Sequence, residues 1–324
     1  MELSVIIPTY NNRPVFERTL GALAAQTLPR ERYEIVIVDD GSTDGTAEMV
    51  REFRDSLQIA YLPQANRGRA AARNLGARAA GGRILVFLDS DFWAAPELLA
   101  EHLRHYPPDA RGIGIQGASR THPDTLVTPF MRAREVYLEV PPGPPGRLSL
   151  FRISTRNLSL LKSDFLAAGG FDEEFGGYGW EDIELAWRLH ARGVRFSYEP
   201  RAIGDHVQVQ DLEGLRKKMR EGGRSAVHFW RKHRRSLWLG LRLEIAPVLL
   251  PMKWVIYRTP VLTTPIRWLV PIAEARGWRY ILSECTNHLV WEAYYHGVFS
   301  ALRPAAGDRN PQAHRKTILT KRSS

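Results

Sequence analysis

The sequence predicts an α/β protein: an open, mostly parallel sheet flanked by helices, followed by a basic helical C-terminal extension. Two observations predict the sheet. Apolar, β-rich runs alternate with helical patterns over residues 3–88, with short connections, the order that builds a parallel sheet covered by helices. Turn-rich or acidic segments fall at the carboxyl ends of three of those runs, where ligands of open α/β sheets bind. A third observation predicts the extension. Residues 1–200 carry 23 Lys/Arg against 26 Asp/Glu, whereas residues 201–324 carry 22 against 9, so the whole basic surplus lies in the last third.

In chain order, strands are expected at 3–7, 34–38, 58–62 and 84–88, separated by helices at 15–26, 46–53 and 70–80. A further helix is expected from about Pro96, and residues 112–118 and 154–161 read as strands. Residues 123–146 read as loop. Within them Pro141-Pro142-Gly143-Pro144-Pro145-Gly146 reads as a linker or flap, since proline neither donates to a ladder nor continues a helix. Residues 180–192 read as a helix with Ile183, Leu185, Ala186 and Leu189 apolar, Glu181 and Asp182 in its first turn, and Gly193 as its stop. A strand at 194–198 follows. Gly112-Ile113-Gly114-Ile115-Gln116-Gly117 matches G-x-G-x-x-G but is itself strand-like, and no helix follows to offer its N-terminus to a pyrophosphate, so a dinucleotide site is not expected there.

With 324 residues, 44% of them hydrophobic, the chain can bury a full core. One cysteine, Cys285, excludes an internal disulfide framework and fits a reducing compartment. No basic-apolar-small leader opens the sequence, so a cytoplasmic protein is expected, and the Asn157-Leu158-Ser159 sequon is without a role.

The most informative stretch is Asp89-Ser90-Asp91, where an apolar strand ends in two carboxylates one residue apart. Such acids often serve as turn and cap residues. Hard oxygen ligands at a strand end also suit a divalent cation, and Mg²⁺ is usually held by one or two carboxylates plus substrate phosphates. The pair therefore reads as half a site whose other half is a diphosphate. The two other strand ends, at Pro8-Thr9-Tyr10-Asn11-Asn12 and Asp39-Asp40-Gly41-Ser42, lie on the same sheet edge.

Six motifs in order resemble family 2 glycosyltransferases of the GT-A fold, over residues 3–210. Ser4-Val5-Ile6-Ile7-Pro8-Thr9-Tyr10-Asn11 looks like the family's opening strand, and Val38-Asp39-Asp40-Gly41-Ser42-Thr43-Asp44-Gly45-Thr46 like its nucleoside-binding turn. Asn66-Arg67-Gly68 with Ala72-Arg73-Asn74-Leu75-Gly76 is similar to the helix that follows, and Asp89-Ser90-Asp91 stands in the place of the D-x-D. Gly169-Gly170-Phe171-Asp172-Glu173 and Trp180-Glu181-Asp182-Ile183-Glu184-Leu185 stand in those of the acceptor and base motifs.

The resemblance implies inverting transfer of a sugar from a nucleoside diphosphate sugar, with UDP the favoured nucleotide, to a hydroxyl of a glycan or lipid-linked acceptor. It implies a divalent cation, Mn²⁺ or Mg²⁺, held by Asp89, Asp91 and His206; imidazole suits Mn²⁺ better than Mg²⁺. Donor contacts are expected from Pro8, Thr9, Tyr10, Asp39, Asp40, Arg67, Arg73, Asp89 and Ser90, with Asp40 favoured for the base. Gly170, Phe171, Trp180 and Glu181 are expected on the acceptor, and Asp182 is the expected base. One base suffices, because a diphosphate whose charge is neutralised by a metal leaves without a proton, unlike the leaving group in glycoside hydrolysis. A catalytic domain is thus expected at 1–210, with its nucleotide-sugar half at 1–118 and its acceptor half at 119–210. A nucleotide-sugar pyrophosphorylase is the alternative enzyme, but no Gly-rich Arg/Lys loop follows the first strand. A non-catalytic nucleic-acid or glycan binder is the alternative outside enzymes. No nucleic acid partner is expected, since the basic surplus avoids the best-defined half and no recognition motif accompanies it.

Residues 211–303 form the expected helical region. Leu212, Leu215 and Met219 mark a face beside Arg216, Lys217, Lys218 and Arg220. Residues 237–257 are apolar but interrupted by Arg242, Glu244, Pro247, Pro251 and Lys253. A span needs about 20 mainly apolar residues and each central charge costs about 2.5–3.5 kcal/mol, so a transmembrane helix is disfavoured. Trp230, Trp238, Trp254, Tyr257 and Trp268 alternate with Arg and Lys, in the manner of segments lying in a headgroup layer. Either an anionic membrane surface is a partner, with the protein peripheral to the inner face, or the aromatics pack a helical subdomain onto the sheet. Residues 304–324 read as a frayed basic tail.

Overall fold

The computed structural model describes residues 1–122, 125, 127–134, 145–207 and 211–303. The expected alternation is present from the start: β1 (Leu3–Thr9), α1 (Arg13–Ala24), β2 (Tyr33–Asp39), α2 (Thr46–Glu52), β3 (Ile59–Pro63), α3 (Arg69–Ala79) and β4 (Ile84–Leu88). There follow β5 (Phe92–Ala94), α4 (Leu98–Leu103), β6 (Ile113–Thr121), α5 (Pro129–Arg134), β7 (Gly146–Arg147), β8 (Asn157–Leu161), α6 (Lys162–Ala167), α7 (Glu181–Ala191) and β9 (Arg195–His206). One sheet runs β3-β2-β1-β4-β8-β6-β9-β5, with β7 paired to β9.

The sheet has two characters. β1 to β4 are parallel to one another, as the sequence predicts. Beyond β4 the order is mixed: β8 is antiparallel to both β4 and β6, β9 is parallel to β6, and β5 and β7 are antiparallel to β9. At three residues, β5 is too short to show a period. β9 is longer than the expected 194–198 because the chain passes Pro200 through a register shift opposite Gly117/Ala118, and a bulge is where a sheet accepts proline. The stretch expected as loop contains α5. Residues 141–144 of the proline-rich segment, and the tail 304–324, lie outside the described residues.

Strand alternation fills a core on each face. Leu3, Val5 and Ile7 of β1, with Ile84, Val86 and Leu88 of β4, pack with Phe16, Leu20, Leu23 and Leu98. Ile6, Leu85 and Phe87 point the other way, onto Ala70, Ala77, Phe165 and Leu185. The approach of α3 explains Gly76, where a Cβ would lie 2.7 Å from Ile6 Cγ2.

The extension comprises α8 (Leu212–Lys232), α9 (Leu237–Arg242), α10 (Leu250–Arg258), α11 (Pro260–Ala275) and α12 (Arg279–Leu302). α8 and α12 meet backbone to backbone: a Cβ on Gly223 would collide with the Tyr294 carbonyl, and one on Gly297 with that of Arg220. Phe229, Trp230, Leu239, Tyr294, Tyr295 and Val298 form a third core that reaches Phe175, Trp180 and Trp187. Charge completes the junction. Lys232 bridges Asp172 at 2.8 Å and Glu184 at 3.1 Å, and His228 and His233 bridge the same two acids at 2.9 and 3.1 Å. Trp230, His228, Lys232 and His233 therefore tie the helical extension to the segments that carry Asp172, Phe175 and Glu184. No helix of the described residues is long and apolar enough to cross a membrane.

Candidate active site

The carboxyl ends of β1, β2 and β4 open on a cleft of about 500 Å³, closed on its far side by the start of α7 and by α8. Pro8, Thr9 and Tyr10 line it where β1 ends, Asp40 just beyond β2, and Asp89, Ser90 and Asp91 beyond β4. The β4 loop is held firmly. Asn12 Nδ2 donates to Ser90 Oγ at 3.1 Å, and Thr19 Oγ1 donates to the Ser90 carbonyl at 2.8 Å. β9 delivers His206 to the same place: it pairs with Phe92 across the sheet, and its Nε2 stands 3.3 Å from Asp91 Oδ2.

Arg73 organises the acids. It is 2% exposed, projects from α3, and donates through Nη2 to Asp89 Oδ1 at 2.8 Å, while Nη1 lies 3.7 Å from Glu181 and 3.8 Å from Asp182. Burial alone would raise the Asp89 pKa, but Arg73, Arg156, Arg69 and His206 together outweigh it, and the carboxyl is held below its ordinary value. Glu181 goes the other way, raised by burial and by its neighbour Asp182.

Asp182 is fixed by Thr155, whose hydroxyl donates to Oδ1 at 2.7 Å and whose backbone N–H donates to Oδ2 at 3.1 Å. It enters the cleft because Gly179 and Trp180 both take left-handed backbone, at φ +91° and +74°. For a bulky residue such as Trp180 that conformation is strained by about 1–3 kcal/mol, and such strain clusters at functional sites. Trp180 also donates its indole N–H to the Gly222 carbonyl of α8 at 3.0 Å, so this turn is clamped to the extension.

Four expected site residues lie elsewhere. Asp39 is a turn residue, receiving the Ser42 N–H at 2.7 Å and the Tyr61 hydroxyl. Arg67 turns away to Glu173 at 3.0 Å, and only its backbone N–H serves the site, by donating to Asp40 Oδ1 at 2.8 Å. Gly170 and Phe171 are structural. Asn74 clamps the Phe171 N–H and carbonyl at 2.8 and 2.9 Å, and Gly170 has φ +71° against the same Asn74 side chain. None of the four lines the cleft.

Other lining residues were not singled out from sequence. Arg69, Thr155, Arg156, Tyr178 and Lys218 all face the cleft. The available signals were that Arg69 sits between Arg67-Gly68 and Ala72-Arg73-Asn74 and that Lys218 lies in a cationic run of a helix; nothing local marks the others. Lys218 comes from α8, lies 5.5 Å over the Tyr178 ring, and has its pKa lowered by burial and by Arg69.

The donor set suits a hard or borderline cation. Asp91 and His206 converge, and Asp89 adds a carboxylate on the same loop, although its Oδ1 is engaged by Arg73. Two polar atoms in the cleft walls, Thr9 Oγ1 and Glu181 Oε2, are buried without a hydrogen-bond partner among the described residues. Asp172, Glu174 and His228 also cluster closely enough to hold a cation, but Lys232 bridges Asp172 there, and a cation is poorly placed beside an ammonium.

The family model for glycosyl transferase family 2 matches residues 4–142, and that described as the N-terminal domain of galactosyltransferase matches residues 148–211. Validoxylamine A glucosyltransferase of Streptomyces hygroscopicus subsp. jinggangensis is 38% identical over 219 residues, covering 59% of this chain and 52% of the relative. Escherichia coli chondroitin synthase is 30% identical over 245 residues, covering 65% and 35%. The chain thus spans about half the first relative's length and a third of the second's. Among solved structures, the mannosyltransferase PcManGT from Pyrobaculum calidifontis, in complex with GDP-Man and Mn²⁺, superposes with a TM-score of 0.57 at 21% identity over 91% of this chain and 86% of that one. Staphylococcus aureus TarS 1–349 in complex with UDP gives 0.53 at 19% over 93% and 91%. These likenesses extend over the helical extension as well as the sheet.

Proposed function

From the premise that the chain belongs to glycosyl transferase family 2, we propose that it transfers a sugar from a nucleoside diphosphate sugar to an acceptor hydroxyl with inversion. The carrying observation is that the Asp91–His206 pair and the Thr155-held Asp182 open on one cleft. The donor half is residues 1–118, the acceptor half 119–210.

In this reading Pro8, Thr9, Tyr10 and Asp40 receive the nucleoside, with Asp40 on a base N–H. UDP is the favoured nucleotide; TarS was solved with UDP and PcManGT with GDP-Man. Arg69, Arg73, Arg156 and Lys218 stand among the acids of the cleft, where cations can meet a diphosphate. A divalent cation held by Asp91 and His206, with Asp89 beside them, would neutralise charge on the departing diphosphate. Asp182 takes the proton of the acceptor hydroxyl. Thr155 orients its carboxylate and satisfies one lone pair on each oxygen, leaving the others for the substrate. Buried Glu181 and the strained Trp180 face the acceptor. The acceptor is a glycan or a lipid-linked intermediate.

The test is release of nucleoside diphosphate from a panel of UDP- and GDP-sugars, with Mn²⁺ or Mg²⁺, by the wild type and Asp182→Asn. Release that depends on metal and is lost in the variant supports the reading. Equal release from both would remove Asp182 from the mechanism.

A further inference from the structure

The side of the extension formed by α10 and α11 presents apolar side chains to solvent. Met252, Trp254 and Val255 of α10 are each about half exposed, and Val261 and Trp268 of α11 are 81% and 75% exposed. On α11, Val261, Pro265, Trp268 and Ile272 follow at intervals of four, three and four residues, which places them in one stripe. The opposite side of the helix carries the buried Thr263 and Ala273. Isolated exposed hydrophobics are ordinary, but a contiguous stripe marks an interaction surface.

Charge identifies the partner. Residues 245–283 hold a single acid, Glu274, against Lys253, Arg258, Arg267, Arg276 and Arg279; Lys253 and Arg267 are paired, with Glu244 at 2.9 Å and Glu292 at 2.6 Å, whereas Arg258, Arg276 and Arg279 meet no carboxylate within 4.0 Å among the described residues. Beside the end of α10 lies a recess of about 260 Å³ lined by Arg220, Arg224, Arg258, His296, Ser300 and Arg303. Among the described residues, none of its four arginines meets a carboxylate within 4.0 Å; the nearby Glu292 is taken by Arg216 and Arg267. Two of the guanidiniums are oriented, Arg258 donating to His296 Nδ1 at 2.9 Å and Arg224 to Ser300 Oγ at 3.3 Å. Unneutralised arginines held in a recess are built for a phosphate.

We propose that this side of the extension docks on an anionic lipid bilayer, the arginine recess taking headgroup phosphate while the Trp254 and Trp268 surface lies in the interfacial layer. Exposed tryptophans rimmed by cations have the chemistry of an interfacial helix. With no helix able to span, the protein lies on the bilayer. A second copy is a poorer occupant, since a two-fold interface sets a surface against itself and would face arginine with arginine. The inference rests on no step of the transfer reaction and is tested without it.

The full chain is sedimented with vesicles of phosphatidylcholine alone or mixed with phosphatidylglycerol, at low and moderate salt. Its variants are Trp254→Ser/Trp268→Ser and Arg224→Gln/Arg258→Gln, and far-ultraviolet dichroism checks that each is folded. The wild type is expected to pellet only with the anionic vesicles and less as salt rises. Each arginine should be worth about fivefold in partitioning, so the arginine pair should lose an order of magnitude or more, and the tryptophan pair should also weaken binding. Absence of wild-type pelleting at low salt overturns the proposal. So does unchanged binding by both folded variants, binding of inorganic phosphate without vesicle binding, or a stable dimer in which Trp268 is shielded from aqueous quenchers.

Discussion

The two walls of the cleft are built in different ways. On the wall proposed for the donor, residues close in sequence stand together: Pro8 to Tyr10, Asp40, and Asp89 to Asp91 are the tips of neighbouring parallel strands. On the wall proposed for the acceptor, Thr155, Asp182 and Lys218 come from three distant segments and meet only because α7 and α8 pack as they do. A strand-end wall is fixed by the sheet, whereas a packed wall depends on a junction. The difference shows in what it should take to break each.

The largest effect should come from Asp182→Asn, which keeps size and the Thr155 contact but removes the base. Turnover is expected to fall by about 10²–10⁴-fold with donor affinity retained, read as kcat against a binding isotherm. Arg73→Met should damage both walls at once, because it strands Asp89, Glu181 and Asp182 together. Removing one partner of a buried pair costs about 3–5 kcal/mol, measurable by urea denaturation, and a loss under 1 kcal/mol would deny its organising role.

Acid should separate the walls by loosening the junction. Glu184 is held down to about 2 despite its burial, chiefly by hydrogen bonds from His233 and Arg188, and Asp172 to about 2 by His228 and Lys232. Both pKa values are depressed in the folded state, so the stability they confer is present above the ordinary values of 4.5 and 3.8 and lost as pH falls from there toward 2. Tryptophan emission from the junction should shift over that window, and Glu184→Gln should shrink the pH dependence. Lys218→Met should weaken donor or acceptor binding by about tenfold, in keeping with the loss of one charge-assisted contact, while leaving kcat nearly intact. Arg67→Ala should do least. Its exposed pair with Glu173 is worth about 1 kcal/mol or less, and an effect on catalysis above a few-fold would return it to the donor site.

The same contrast explains how much was legible in the sequence. The parallel half of the sheet follows from apolar runs at short spacing, and the strand-end carboxylates mark the cleft. The sequence puts both Asp39 and Asp40 on the donor and favours Asp40 for the base; the structure shows Asp39 turned to Ser42 and Tyr61, and Asp40 lining the cleft while accepting from Gln64, Arg67 and Gly68. Phe171 lies in a motif that reads as an acceptor contact but is core, clamped by Asn74 ninety-seven residues earlier. Thr155 carries no local pattern and Lys218 only that of a cationic run, since their roles arise from long-range packing. β5 was too short for periodicity, and β9 was hidden by the Pro200 bulge that its pairing tolerates.

The central claim is that the β4 loop and His206 form a metal-dependent nucleoside diphosphate site. It is tested most directly by the thermal shift given by UDP and GDP, with and without Mn²⁺, on the wild type and on Asp91→Ala. At about 100 times its dissociation constant a bound nucleotide should add roughly 2.7 kcal/mol of stability. The account predicts a raised melting temperature for the wild type only when metal and nucleotide are both present, and none for Asp91→Ala. An equal shift in the two proteins, or no shift in the wild type with either nucleotide, would contradict it.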